Sequence, residues 1–147
     1  LVSLPGYGYA HFSTHKKDIM KKDLDIEEVS GVYVAFLPNR DNWSVYIINN
    51  RKEPLETVIV NASGEGKLEG KEKQTATLRF LLNDIPAESV KPFEVLMPDS
   101  FEISHRYWVS YYVGNRIFDK KFVYTPDMYD EDLQDLPVFG SPGILLT

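Results

Sequence analysis

The sequence predicts an all-β chain folded as a single antiparallel β-sandwich of about seven strands, and three observations carry that prediction. Between residues 30 and 126, runs rich in β-branched and aromatic residues are separated by Pro, Gly and Asn turn signals roughly every 8–14 residues. No stretch of about 10–12 residues in that span has helical periodicity, which argues against parallel βαβ folds. Aromatic residues make up 13% of the chain, with nine Tyr and eight Phe, and such bulk suits half-buried pleated surfaces. A length of 147 residues fits one domain and is long enough to bury a core without staples. A small barrel is the alternative all-β arrangement.

Three regions follow from the pattern: an N-terminal extension at 1–29, the sandwich at 30–126, and a tail at 127–147, acidic and then apolar. In the extension, Leu1–Tyr9 shows no period and Lys16–Glu28 can form only a short helix with sparse apolar positions. Met20, followed by Lys21 and Lys22, is the expected natural start, and an intact mass of the native protein tests this. From residue 31 the strands run in order. Gly31–Leu37 is apolar and β-branched and stops at Pro38. Asn42–Asn49 alternates, with Trp43, Val45 and Ile47 on one face. Asn49–Pro54 is a turn, and Leu55–Ala62 alternates again. Ser63–Lys73 is polar and Gly-rich and is expected to be a mobile hairpin loop. Gln74–Leu82 places Ala76, Leu78 and Phe80 inward, and Asn83–Ser89 is a Pro-bearing connection. Val90–Met97 is followed by an expected loop at Pro98–Ser104. Arg106–Val113 and Arg116–Tyr124 form a hairpin around the two-residue loop Gly114–Asn115.

Two of these passages resemble a known family. Ile48–Val60 (INNRKEPLETVIV) resembles the stretch of many bacterial immunoglobulin-like domains in which an asparagine, a polar turn, Pro-Leu and Val-x-Val follow one another. Phe80–Val95 resembles the place in such domains where a strand ends and a Pro-bearing corner swaps sheets. Residues 20–126 also resemble a group of short, uncharacterised bacterial proteins, through Met20–Asp23, Val32–Phe36 and the Tyr107–Gly114 and Ile117–Phe122 hairpin. Some of those are labelled phenylalanine–tRNA ligase alpha subunit. The resemblance implies an immunoglobulin-like sandwich. It implies no catalytic residue, because the ATP-gripping Arg with its acidic partner and the Gly-rich stretch ending in Arg have no counterpart here.

Charge and composition narrow the functional classes. The net charge is −6, yet residues 30–126 carry 12 basic and 12 acidic side chains. The imbalance lies in the tail, where Asp127, Asp130, Glu131, Asp132 and Asp135 meet no base. A folded part without basic excess makes nucleic acid an unexpected partner. The absence of Cys excludes disulfides and thiolate metal sites. No apolar run reaches the roughly 18 residues of a membrane span, and no leader precedes Lys16, so a cytoplasmic place without membrane contact is expected.

Motifs of chemistry are weak. The glycines of Ser63–Lys73 lack the G-x-x-x-x-G-K-[ST] spacing and the following helix of a phosphate cradle. His11 and His15 have the spacing of two ligands on a helix face, but no acidic neighbour completes a metal site. Ser104 and His105 are adjacent, so on a strand they face opposite ways, and His105 is expected to be a solvated loop residue. Asp84, Glu88, Asp99 and Glu102 read as ordinary turn carboxylates. Asn61-Ala62-Ser63 fits the glycosylation pattern, which cytoplasmic placement leaves unused. No catalytic, cofactor or metal residue is therefore assigned.

The aromatic hairpin is the stronger signal. Alternation puts Tyr107, Val109 and Tyr111 on one face and Trp108 and Tyr112, beside Arg106, on the other. Exposed Trp, Tyr and Arg are the residues that dominate protein contacts. In the tail, Tyr129 and Leu133 stand among acids, as in short docking peptides. The apolar Leu136–Thr147 either folds back onto the sheet or meets a partner. Arg106, Trp108, Tyr112, Tyr129 and Leu133 are thus the interaction candidates of a non-enzymatic protein-binding module. An accessory role in translation or RNA handling, and an enzyme with an unrecognised site, are the alternatives.

Overall fold

The computed structural model describes residues 30–147. The expected start at Met20, the short helix at Lys16–Glu28 and the His11–His15 pair lie outside them. The described chain is two packed antiparallel sheets and not a barrel, with ten strands where the sequence suggested about seven. One sheet has the order β6-β2-β1-β10-β9, formed by β1 (Val32–Pro38), β2 (Trp43–Asn49), β6 (Ser89–Leu96), β9 (Leu133–Leu136) and β10 (Ser141–Leu146). The other has the order β4-β3-β7-β8, from β3 (Leu55–Leu68), β4 (Lys71–Gln74), β7 (Ser104–Val113) and β8 (Arg116–Tyr124). In this second sheet β5 (Leu78–Ile85) also pairs with β3, next to β4 along the same side.

The three extra strands lie where the sequence was misread. The polar segment Ser63–Lys73 is a hairpin, as expected, but a paired one and not a loop: β3 runs on to Leu68, turns at Glu69–Gly70 and returns as β4. Its glycines serve close approach. A side chain at Gly64 or Gly66 would press on Ile103 at 3.0–3.1 Å, so glycine lets β3 pass against the end of the Pro98–Glu102 turn. The tail supplies the other two. After a single helical turn, α1 (Met128–Glu131), the chain forms β9 and then β10, which lies between β1 and β9 with Val34 opposite Leu146 and Phe36 opposite Ile144. Of the two alternatives for the apolar end, folding back is the one realised. The sandwich therefore does not stop at residue 126, because β1 would otherwise have no neighbour on that side. Gly143 is required there: a Cβ at this position would sit 2.6 Å from the Phe36 carbonyl oxygen.

The core lies between the sheets. Val34, Phe36, Val45 and Ile47 of one sheet meet Val58, Val60, Tyr107, Val109, Tyr111 and Phe122 of the other, all at 1% exposure or less. Phe36 stands among aromatic rings, edge-on to Phe101, Tyr107 and Tyr124 at centroid distances of 5.4–5.9 Å. The Tyr124 hydroxyl donates to the Phe101 carbonyl at 3.0 Å, which holds the Pro98–Glu102 turn on the core.

The corner after β5 does swap sheets, and Asn49 fastens it. The Asn49 side chain is fully buried. Its Nδ2 donates to the Glu53 and Pro86 carbonyls at 3.0 and 2.9 Å, and its Oδ1 accepts from the Arg51 amide at 3.0 Å. One asparagine thus ties the β2–β3 turn to the β5–β6 corner, and its buried polar atoms are satisfied by doing so. Of the three inward assignments in Gln74–Leu82, two fail. Ala76 and Leu78 are exposed because the chain leaves regular pairing over residues 75–77, at an open rim of the sandwich; Phe80 turns inward as expected, and so does Leu82.

Candidate interaction face

The β7–β8 hairpin sets the register of the candidate residues. Gly114 takes φ +62°, which a two-residue hairpin loop needs at its first position. Trp108 then lies opposite Lys121, Ser110 opposite Asp119 and Tyr112 opposite Ile117. With Tyr107, Val109 and Tyr111 buried in the core, period-2 alternation turns Arg106, Trp108 and Tyr112 outward. On the other flank β3 places Asn61 beside Trp108 and Ile59 beside Ser110, and β5 adds Arg79 beside Asn61 and Leu81 beside Ile59.

The result is an apolar stripe running obliquely across four strands. Trp108 and Tyr112 are 45% and 40% exposed, and Leu81 and Ile117 extend the stripe on either side at 67% and 63%. Charged groups rim it. The Lys121 ammonium stands 5.9 Å from the Trp108 ring, Arg79 donates to Asn61 Oδ1 at 3.1 Å, and Arg106 is ion-paired with Glu65. Ile117 was readable from the tight hairpin once Tyr112 was known to face outward. Leu81 was not, because β3 and β5 pair with register shifts at Leu55, Val58 and Ile59.

The outer face of the other sheet is different. There Tyr33, Ala35, Leu37, Ile48 and Leu145 form a second buried cluster under Val138 and Phe139 of the β9–β10 turn, with Tyr46 and Phe139 ring centroids 4.8 Å apart. The chain covers that apolar face with its own C-terminal turn.

The remaining two candidates do not join the stripe. Tyr129, on α1, packs its ring against Trp43 and Phe101 at 5.7 and 5.4 Å and is 38% exposed. Leu133 lies on β9, opposite Ile144 and 49% exposed. Both belong to the fold as built rather than to a free acidic peptide.

His105 is not a solvated loop residue. It lies on β7, is 7% exposed, and its Nε2–H donates to the Ser100 carbonyl at 2.6 Å. It lines a cleft of about 140 Å³ at the open rim with Leu78, Glu94, Leu96 and Ile103. Glu94 accepts a hydrogen bond from the Tyr107 hydroxyl at 2.9 Å. Burial lowers the His105 pKa, against the pull of the Ser100 carbonyl. Burial also raises the Glu94 carboxyl, partly offset by the Tyr107 hydrogen bond. These polar groups hold the chain at the rim. Among the described residues no cluster of His, Asp and Glu is arranged to hold a metal, and no helix is long and apolar enough to cross a membrane.

The His105 shift has a consequence for stability. A histidine whose folded pKa is depressed stabilises the fold fully above its unfolded value of about 6.5, and that contribution is lost as pH falls through the folded value. Glu94 acts in the opposite sense, its contribution being complete in acid and lost as pH rises through its raised pKa. Urea midpoints are therefore expected to fall between pH 7.5 and 5.5 in the wild type and to fall less in His105→Gln, which keeps a donor for Ser100. Equal falls in the two proteins would refute the assignment.

No family model, curated protein or solved structure matches this chain.

Proposed function

We propose that the protein is a cytoplasmic, immunoglobulin-like interaction module with no catalytic role, and that the stripe of Leu81, Trp108, Tyr112 and Ile117 is its contact surface for another protein. One observation carries this reading. The chain covers the apolar outer face of one sheet with its own C-terminal turn, while the stripe on the other sheet remains exposed among the described residues. Exposed aromatic and aliphatic side chains rimmed by Arg106, Arg79 and Lys121 have the composition of an interface centre with a polar rim. The immunoglobulin-like part is supported by strand order. With β4 and β5 taken as one broken strand, the first, second and fifth strands share a sheet, and the third, fourth, sixth and seventh share the other.

The test is gentle purification of the tagged protein from its native host, with and without RNase. Protein partners that survive RNase are expected. Trp108→Ala with Tyr112→Ala should weaken their binding by about 30-fold or more, the effect of losing one strong anchor. Partners retained at full strength by the double variant would rule the stripe out.

A second reading, an accessory RNA contact, draws on Lys121 standing over the Trp108 ring, where a base could stack. Its mark would be partners lost on RNase treatment and a steep decline of binding with salt. The balanced charge of residues 30–126 favours the protein partner.

A further inference from the structure

The rim cleft beside His105 has a chemical character that the stripe lacks. It lies where residues 75–77 leave regular pairing, and it encloses about 140 Å³. Leu78, Leu96 and Ile103 give it apolar walls. Its shape is held from several sides. The Thr75 amide donates to the Gly64 carbonyl at 2.8 Å, and the Thr75 hydroxyl accepts from the Gly64 amide at 2.7 Å. The Ser100 carbonyl holds His105, and the Tyr107 hydroxyl holds Glu94. A cleft built before its ligand arrives loses little ordering entropy on binding.

Glu94 faces this cleft from β6. It lies opposite the buried Val45 in the β2 register, as Leu96 lies opposite Trp43. A carboxylate on an apolar wall is unfavourable unless it is paired. The Tyr107 hydroxyl bonds one of its oxygens, Oε1; among the described residues no other group bonds it, and no Lys or Arg lines the cleft. Lys91, the basic residue of the same strand, is engaged with the Leu82 carbonyl instead. His105 adds no positive charge, because burial keeps it neutral at pH 7.5. With its Nε2–H committed to Ser100, the neutral ring has only an acceptor left, at Nδ1. The cleft thus combines one negative charge with apolar walls and supplies no counter-ion.

We propose that this cleft binds a primary alkylammonium group, with the cation on Glu94 and a chain of about five carbons along Leu78, Leu96 and Ile103. The volume of about 140 Å³ suits about six non-hydrogen atoms, since an apolar cavity of about 150 Å³ takes up benzene. A free alkylamine and the side chain of a lysine carry the same chemistry. The site is independent of the Trp108 stripe, which lies on the outer face of one sheet, whereas the cleft is lined by residues of both.

Titration of the 15N-labelled full chain with n-pentylammonium at pH 7.5, followed by amide chemical shifts, tests the assignment. Saturable shifts are expected at Leu78, Glu94 and His105, with a dissociation constant of about 1 mM. n-Pentanol, of equal length but uncharged, should bind about tenfold more weakly or worse, and n-pentanoate should not bind. Glu94→Gln keeps an oxygen for the Tyr107 hydroxyl and removes only the charge. It should weaken pentylammonium about tenfold or more without lowering the urea midpoint. If that variant does not fold, the three ligands on the wild type decide the matter alone. Trp108→Ala should bind as the wild type does. Nα-acetyl-lysine methylamide separates the two sources: tighter binding than pentylammonium assigns the cleft to a lysine of a partner protein, and weaker binding assigns it to a free amine. No saturable shift with either amine up to about 50 mM, pentanol binding as tightly as pentylammonium, a folded Glu94→Gln that binds unchanged, or shifts centred on Trp108 would each overturn the proposal.

Discussion

A chain ending at Pro126 is expected not to hold the sandwich. It would lack β9 and β10, and with them Leu136, Ile144, Leu145 and Leu146, all at 8% exposure or less. Each such side chain contributes roughly 1.5–3 kcal/mol on burial, so their sum rivals the stability of an ordinary domain, about 5–15 kcal/mol. The loss extends beyond these side chains. β1, whose residues from Val32 to Leu37 are all buried, would become an edge with unpaired backbone and exposed apolar side chains. Thermal unfolding followed by circular dichroism should show a cooperative transition for the full chain and none for the shortened one, which should aggregate. A cooperative melt of the shortened chain would show that the tail is an accessory.

Phe36→Ala should be the most damaging single substitution in the inter-sheet core. The ring is fully buried and edge-on to three other aromatic rings, so its removal leaves a large cavity with rigid walls. Substitutions of this kind cost about 3–5 kcal/mol. In a chain of this size that corresponds to a drop in Tm of roughly 10 °C or more. Phe93→Ala is the control. Its ring is only partly buried and touches Phe80 and Tyr107 at the rim, where water can fill the space left behind. Urea unfolding should place Phe36→Ala well below Phe93→Ala at unchanged m value, and equal losses would mean that the core does not centre on Phe36.

The aromatic hairpin was legible because its signals agree. A loop of two residues leaves a single register, and Arg106 and Ser110 mark as the outer face the one they share with Trp108 and Tyr112, although the apolar run itself does not say which face is buried. The buried face of β2 was legible for the same reason, in Trp43, Val45 and Ile47. The segment from Ser63 to Lys73 was not. Glycine reads locally as freedom, whereas Gly64 and Gly66 are there because Ile103, far along the chain, lies too close for a side chain. His105 was misplaced because the expected loop at Pro98–Ser104 read as solvated, whereas it folds back and its Ser100 carbonyl accepts from the ring. The tail was half legible. Its apolar end was visible, but the acids of 127–135 masked β9, and nothing local tells that Gly143 must pass under the Phe36 carbonyl. In each case the missing information is a contact between distant residues, which overrides local propensity.

The place of β10 also bears on the order in which the protein can be made. Chains leave the ribosome N-terminus first, and domains generally fold as units. β1 is among the earliest described segments to emerge, yet its partner on one side, Ile144–Leu146, is separated from it by the rest of the fold. Until that segment is synthesised, the nascent chain carries a fully apolar strand with one side unpaired. Closing the sheet is then a single long-range event, which loop-closure entropy makes slow. The sheet thus cannot close before β10 has been made, and the interval before β10 docks is when a chaperone has the most to hold.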